Sequence, residues 1–258
     1  MQQFIQGDCR EVIKDFPEKS FHLVVTSPPY NVGVDYGTYK DNLSREEYLN
    51  FSEEWLKECY RVLVNGGRIC LNIPMYNFCG KFNMFVPYYE LMTKIGFIDR
   101  DTLIWVKLDG LDFAHPAKIY GKISPENPHM KYPYELILVM QKDKDTLEGE
   151  ETDLNYREFF KWSHTIWFIR PEYDRTHPAP YPEELVYRLV KMFSFVGQKV
   201  LDPFCGSGTT LKVCKKLKRD GFGIDIDTKF IEMTGRNLKT YSHGRLQFNN
   251  DSDRYTFP

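Results

Sequence analysis

No stretch of the sequence approaches the roughly 20 consecutive apolar residues that a membrane-spanning helix needs. Met1 to Asp8 shows no basic-then-apolar leader pattern, so no targeting segment is expected. No Cys-x-x-Cys pair is present, and Cys9, Cys59, Cys70, Cys79, Cys205 and Cys214 are scattered along the chain. That spacing excludes a zinc ribbon and argues for free thiols in a reducing compartment over a disulfide frame. The cytoplasm is therefore the expected location, and neither a metal nor a membrane is expected. Internal repeats are absent too. Net charge is only −2, which announces no polyanionic partner. The sum conceals an acidic block: from Asp143 to Glu158 seven acids face two bases, so that block carries −5 and the remainder +3. A local basic face is thus permitted.

What is present is an ordinary globular composition, 42% hydrophobic and 27% charged, over 258 residues. That length accommodates one large domain, or one domain with an insertion. Aromatic residues reach 16%, enough for a rich core or for a surface on which bases stack. Short β-rich runs alternate with helical patterns, which predicts an α/β fold around a largely parallel sheet. Expected strands are Gln3–Gln6, His22–Thr26, Arg68–Ile73, Thr102–Val106, Glu135–Gln141, Lys199–Leu201 and Gly221–Ile224. Expected helices are Arg45–Val64, Val86–Ile95, Pro182–Phe193, Thr209–Leu217 and Thr228–Lys239. The first is the clearest: Tyr48, Phe51, Trp55, Leu56, Cys59, Val62 and Leu63 share a face, Ser44 and Glu47 form a capping box, and Asn65-Gly66-Gly67 is the expected stop. Leu108–His164 breaks the pattern, with prolines, glycines and little periodicity, and reads as a strand pair with long inserted loops.

Two motifs carry chemistry. Val200-Leu201-Asp202-Pro203-Phe204-Cys205-Gly206-Ser207-Gly208-Thr209-Thr210 is a short strand ending in an acid, then a tight glycine turn that opens a helix. Glycines let a ligand approach the backbone, and a helix N-terminus offers N–H groups to an anion. Asp225 ends the next strand about 20 positions on, where an acid binds ribose hydroxyls. The dinucleotide fingerprint's third glycine is replaced by Leu211, so the expected anion is small, such as an amino-acid carboxylate. A nucleoside bearing an amino acid is S-adenosylmethionine; the plainer alternative is a glycine-rich βα turn with no ligand.

The second motif is Ser27-Pro28-Pro29-Tyr30 at the end of an apolar strand. Proline fixes φ and holds the preceding residue extended, so the backbone here is pre-set. A rigid carbonyl with the Ser27 hydroxyl can accept two hydrogen bonds from one exocyclic amine, and Tyr30 offers a flat face for a base. The alternative is a strand-ending turn with a core tyrosine.

Together the motifs resemble those of the amino-methyltransferases of DNA, which move a methyl group from S-adenosylmethionine to the exocyclic nitrogen of cytosine or adenine. The resemblance rests on Ser27–Tyr30 as the catalytic motif and Phe204–Gly208 as the cofactor motif, and it extends along most of the chain. It implies a Rossmann-like fold: a seven-stranded mixed sheet with helices on both faces, with the strands ending in Thr26 and Asp202 side by side. Catalytic motif before cofactor motif is the circularly permuted β-type order. The implied division is 1–107 for the catalytic part, 108–164 for target recognition and 165–258 for the cofactor part of the same domain. Implied catalytic residues are Ser27, Pro28, Pro29 and Tyr30. Implied cofactor residues are Asp8, on the cofactor adenine amine, with Asp202, Phe204, Gly206, Ser207, Gly208, Thr209 and Asp225. His177–Pro182 looks like the segment closing over the methionine end. Ser27, where adenine enzymes more usually carry Asp, points to cytosine N4 over adenine N6. Double-stranded DNA is the implied partner; a homodimer and a separate cognate restriction endonuclease are both compatible with the resemblance.

Some residues stay outside those roles. His22 departs from the acid often found before the catalytic strand and is expected to be structural. Cys205 is expected to pack, not to act as a nucleophile. Lys118, Lys122 and Lys131 are phosphate-contact candidates, and His115, Asn127 and His129 base-edge candidates, each against the alternative of a solvated loop residue. Lys212, Lys215, Lys216, Lys218 and Arg219 form either a DNA patch or the wet face of a helix. The rival classes are an RNA or protein methyltransferase, a nicotinamide oxidoreductase and a DNA-binding module without catalysis.

Overall fold

A computed structural model describes residues 1–33, 41–76, 82–107, 125–126, 132–172 and 182–240. Elements run in the order β1 (Gln2–Gln6), α1 (Cys9–Val12), β2 (Phe21–Thr26), α2 (Arg45–Val62), β3 (Leu63–Ile73), α3 (Phe85–Ile95), β4 (Ile98–Lys107) and β5 (Tyr134–Gln141). There follow α4 (Tyr156–Trp162), β6 (Ile166–Ile169), α5 (Glu183–Phe193), β7 (Lys199–Asp202), α6 (Thr209–Lys216), β8 (Asp220–Asp225) and α7 (Thr228–Thr240).

The strands form one mixed sheet in the order β1-β8-β7-β2-β3-β5-β4-β6. Among the described residues it has eight strands, not seven. The addition is β6, whose Ile166–Ile169 run parallel to Ile104–Lys107 of β4 at the sheet edge. Pairing is parallel from β1 to β3, antiparallel on both sides of β5, and parallel again at β6. As expected, β2 and β7 are neighbours, with Leu23 opposite Val200 and Val24 opposite Leu201.

Strand alternation sends successive side chains to opposite faces. Leu23 and Val25 of β2 join a core with Leu185, Val186, Leu189 and Val190 of α5. Val24 joins the opposite core, with Trp55, Leu56 and Cys59 of α2 and Tyr88 and Met92 of α3, and Phe21 joins it too because the pairing of β2 with β3 is irregular between Phe21 and Leu23. Helices thus cover both faces of the sheet.

One local expectation changes. The helix after Ser44 ends at Val62, and Asn65-Gly66-Gly67 lies within β3 instead of stopping a helix. Gly66 has φ +74°, and a Cβ there would sit 2.6 Å from the Leu147 backbone nitrogen. The irregularity admits the acidic stretch: the Gly66 amide donates to Asp143 at 2.9 Å and Asn65 to Asp145 at 2.8 Å. Of 108–164, the described residues hold one strand, β5 inside the sheet, and one helix, α4; the remainder of the expected strand pair and its loops lies outside the described residues. The acids of that interval are partly used internally. Asp153 takes two hydrogen bonds from the fully buried Arg219, and Glu158 two from Lys191.

Candidate active site

At the carboxyl edge of the parallel strands, the residues after β2 and after β7 face one cavity of about 190 Å³. Open parallel sheets bind ligands at this edge. The cavity is lined from one side by Ser27–Tyr30 and from the other by Pro203–Ser207 and Thr209. Thr26 and Asp202, 176 positions apart, are joined by a buried hydrogen bond of 2.8 Å. The two motifs therefore form one site.

The proline motif is held from three directions. The Tyr48 hydroxyl donates to the Pro29 carbonyl at 2.6 Å and lies 2.9 Å from that of Tyr88, which also meets Ser52. Burial pushes the Tyr88 hydroxyl up to about 12, so it stays protonated at neutral pH. Beyond Tyr30 the chain turns at Asn31, with φ +55°, and Asp41 accepts from the amides of Asn31 and Val32 at 2.8 and 2.9 Å. With Pro29 engaged, the Pro28 carbonyl accepts nothing among the described residues.

Beneath the motif is a polar group that sequence reasoning missed. The Tyr30 hydroxyl lies 2.6 Å from Ser27 Oγ, donates to Glu135 Oε2 at 3.1 Å and receives Asn72 Nδ2 at 2.9 Å. Asn72 also donates to Glu135 at 2.6 Å, and Lys107 pairs with the other Glu135 oxygen. The signal was there: Asn72 interrupts the apolar end of β3, and Glu135 is the one acid in the Glu135–Gln141 strand.

In the glycine turn, Gly206 and Gly208 have φ +50° and +86°, a region that favours glycine. Gly208 caps α6, and a Cβ on it would lie 2.7 Å from Thr234. Asp225 accepts from the Gly206 amide and the Asp227 amide, both at 2.9 Å, and burial pushes its carboxyl up. Asp225, Ile226, Asp227 and Phe230 line the same cavity, with Phe51 and Arg10. Of these, only Asp225 was anticipated. Acids at a strand end, a glycine turn at a helix N-terminus and aromatic walls suit a nucleoside with an amino-acid tail, so the residues fit S-adenosylmethionine.

Some expected residues sit differently. Asp202 is fully buried and outside the cavity lining; it accepts from Thr26, Thr210 and the Phe204 amide, which makes it a tie between β7, β2 and α6. Gly208 also lies behind the lining. Asp8 does line the cavity, but its carboxylate caps α1 and takes up the Arg10 side chain. Burial pushes that carboxyl up, and the Arg10 hydrogen bonds outweigh it and leave it below its ordinary value. Burial raises the Cys205 thiol far above its usual range, in keeping with a packing role. His22 accepts from the Lys199 amide at 3.2 Å, a contact that joins β2 to β7.

The basic run after the cofactor turn is not a free patch. Arg219 is buried on Asp153, Lys212 pairs with Glu183, and Lys215 donates to the Leu238 carbonyl. His115, Lys118, Lys122, Asn127, His129, Lys131 and His177–Tyr181 lie outside the described residues.

Comparison with known proteins gives the same direction. A family model described as DNA methylase, of the N6/N4 type, matches residues 21–236. The type II methyltransferase M.HpaI of Haemophilus parainfluenzae is 34% identical over 247 residues, spanning 94% of this chain and 76% of the relative. The DNA adenine methyltransferase YhdJ of Escherichia coli is 28% identical over 265 residues, spanning 93% and 83%. Among solved structures, TTHA0409 of Thermus thermophilus complexed with S-adenosyl-L-methionine superposes with a TM-score of 0.69 at 30% identity, covering 94% of this chain and 96% of that one.

Proposed function

This chain belongs to the DNA methylase family of N6- and N4-amino-methyltransferases, and on that premise we propose that it methylates the exocyclic N4 of a cytosine flipped out of duplex DNA. The methyl donor is S-adenosylmethionine, which when bound would supply an electrophilic methyl group, its sulfur leaving as the neutral thioether S-adenosylhomocysteine while the methylated amine gives up one proton to solvent.

The chain's own residues do the rest. The target base leaves the stack at a cost of a few kcal/mol and lies against the Tyr30 ring. Its amine donates to Ser27 Oγ and to the Pro28 carbonyl. That pair draws the nitrogen lone pair out of conjugation with the ring and aims it across the cavity. Asp225 receives ribose hydroxyls, and Gly206, Ser207 and Thr209 receive the amino-acid end. Orientation supplies much of the rate, since well-placed reactants save up to about 10 kcal/mol of barrier. Target sequence is read by residues 108–164.

One observation carries this reading. Tyr48 occupies the Pro29 carbonyl, which leaves Ser27 and the Pro28 carbonyl as the acceptors beside the glycine turn. Ser27 in the first motif position supports cytosine. Adenine N6 is the second reading, favoured by the 28% identity to YhdJ.

The test is methyl transfer to mixed-sequence duplex DNA, followed by nuclease digestion and mass spectrometry of the nucleosides. N4-methylcytosine is the expected product. N6-methyladenine keeps the site and overturns the base. Cofactor retention with no modified nucleoside sinks duplex DNA as the substrate.

A further inference from the structure

The hydrogen bonds beneath Ser27 have a direction. Tyr30 has one hydroxyl proton, and it goes to Glu135 Oε2, which as a carboxylate oxygen can only accept. The Tyr30 oxygen is then an acceptor toward its other neighbours. Asn72 Nδ2 is one donor to it, at 2.9 Å. Ser27 Oγ and the Tyr30 hydroxyl lie 2.6 Å apart, a contact in which either oxygen can donate, and with the Tyr30 proton on Glu135 the donor is Ser27. The Asn72 amide orientation is fixed independently: turned over, its oxygen would face the Glu135 carboxylate 2.6 Å away. Lys107 meets the second Glu135 oxygen in a charge-assisted pair. Ser27 follows β2, and Asn72, Glu135 and Lys107 stand on β3, β5 and β4, so the group spans four neighbouring strands of the sheet.

We propose that Glu135 is a positioning residue for methyl transfer: through the Tyr30 hydroxyl it fixes the polarity of this chain so that Ser27 Oγ presents lone pairs, not its proton, to the target amine. The inference rests on the functional reading above and deepens it. A serine hydroxyl, unlike a carboxylate, can face an amine with either a donor or an acceptor. Without the terminal acid, the Tyr30 proton is free to turn to Ser27, and the Ser27 proton then opposes the amine, donor against donor. Glu135 does not line the cavity, and it acts only through Tyr30 and Ser27.

The test measures single-turnover transfer in preformed enzyme–cofactor–DNA complexes, with cofactor affinity by calorimetry and folding by thermal melting. Variants are Tyr30→Phe, Glu135→Gln and the pair Lys107→Met/Glu135→Leu, which avoids stranding a cation. The double variant is expected to lower the transfer rate on the order of 100-fold, as loss of a preorganised catalytic hydrogen bond does, with cofactor affinity held within about twofold. Glu135→Gln keeps an acceptor oxygen and is expected to recover most of that loss. Added to Tyr30→Phe, the double change is expected to do little more, because the link is already cut. Multiplying effects, or a double variant at wild-type rate, overturn the proposal. If the double variant does not fold, Glu135→Gln decides: folded, cofactor-competent protein that transfers as poorly as Tyr30→Phe overturns it. Wild-type protein that binds cofactor but methylates no DNA instead sinks the functional reading, and this inference with it.

Discussion

Tyr30 lines the cavity while its hydroxyl meets Ser27 and Glu135, two features with separable consequences. Tyr30→Ala removes both the ring and the hydroxyl node. It is expected to cut turnover on the order of 100-fold while leaving cofactor affinity nearly intact, since Asp225 and the glycine turn stand on other strands. Equal loss of both in calorimetry and kinetics would refute that division. Asp225→Ala is expected to weaken cofactor binding, and unchanged affinity removes Asp225 from the ribose. His22 gives a pH signature. Burial, with the Lys199 charge added, pushes its imidazole below 6.5. The unfolded chain then binds more protons in the window just under 6.5, so stability is complete above that value and falls as pH drops through the lowered one. Melting from pH 7 to pH 5 should show the loss, and His22→Phe should flatten it.

At the scale of elements, the residues that failed to announce themselves are those whose role depends on distant chain. Gly66 reads locally as a helix stop. Its positive φ serves the approach of Leu147, which no local pattern reveals. Gly66→Ala is expected to cost more than about 1 kcal/mol, measurable by denaturant unfolding. The Ile166–Ile169 strand, four residues long, is too short for any period to show, and it forms because β4 leaves an open edge. By contrast, α2 was legible nearly to its ends, because a capping box and a long apolar face are local signals. Arg219 looked like one more exposed base in a run of them. Its burial on Asp153 reverses that reading, and Asp153→Ala, which leaves a buried cation unpaired, is expected to cost about 3 kcal/mol.

For the whole molecule, both ends of the site were readable, because glycine and proline impose backbone states that side-chain context does not override. The support beneath them was not. Asn72, Glu135 and Lys107 meet only once the strand order places β2, β3, β5 and β4 side by side, and sequence spacing carries no record of that. Asp202 shows the converse: its motif position reads as a ligand contact, while the fold uses it to join two strands. Because the cofactor cavity exists only in the folded sheet, cofactor at about 100 times its Kd is expected to stabilise the protein by about 2.7 kcal/mol. A thermal-shift series should show the rise, and Asp225→Ala should shrink it.

The Thr26–Asp202 hydrogen bond has a consequence for how the reaction is timed. Adjacent strands stand about 4.8 Å apart, a spacing set by backbone geometry, and this buried bond locks the last residues of two such strands together. The two halves of the site are thus the teeth of one rigid comb. The span from glycine turn to proline carbonyl is a built-in ruler, already at length before any ligand arrives. Under the proposed function, the step left to wait for is the arrival of the base, and thickening the solvent should slow that arrival while leaving the transfer itself at its own pace.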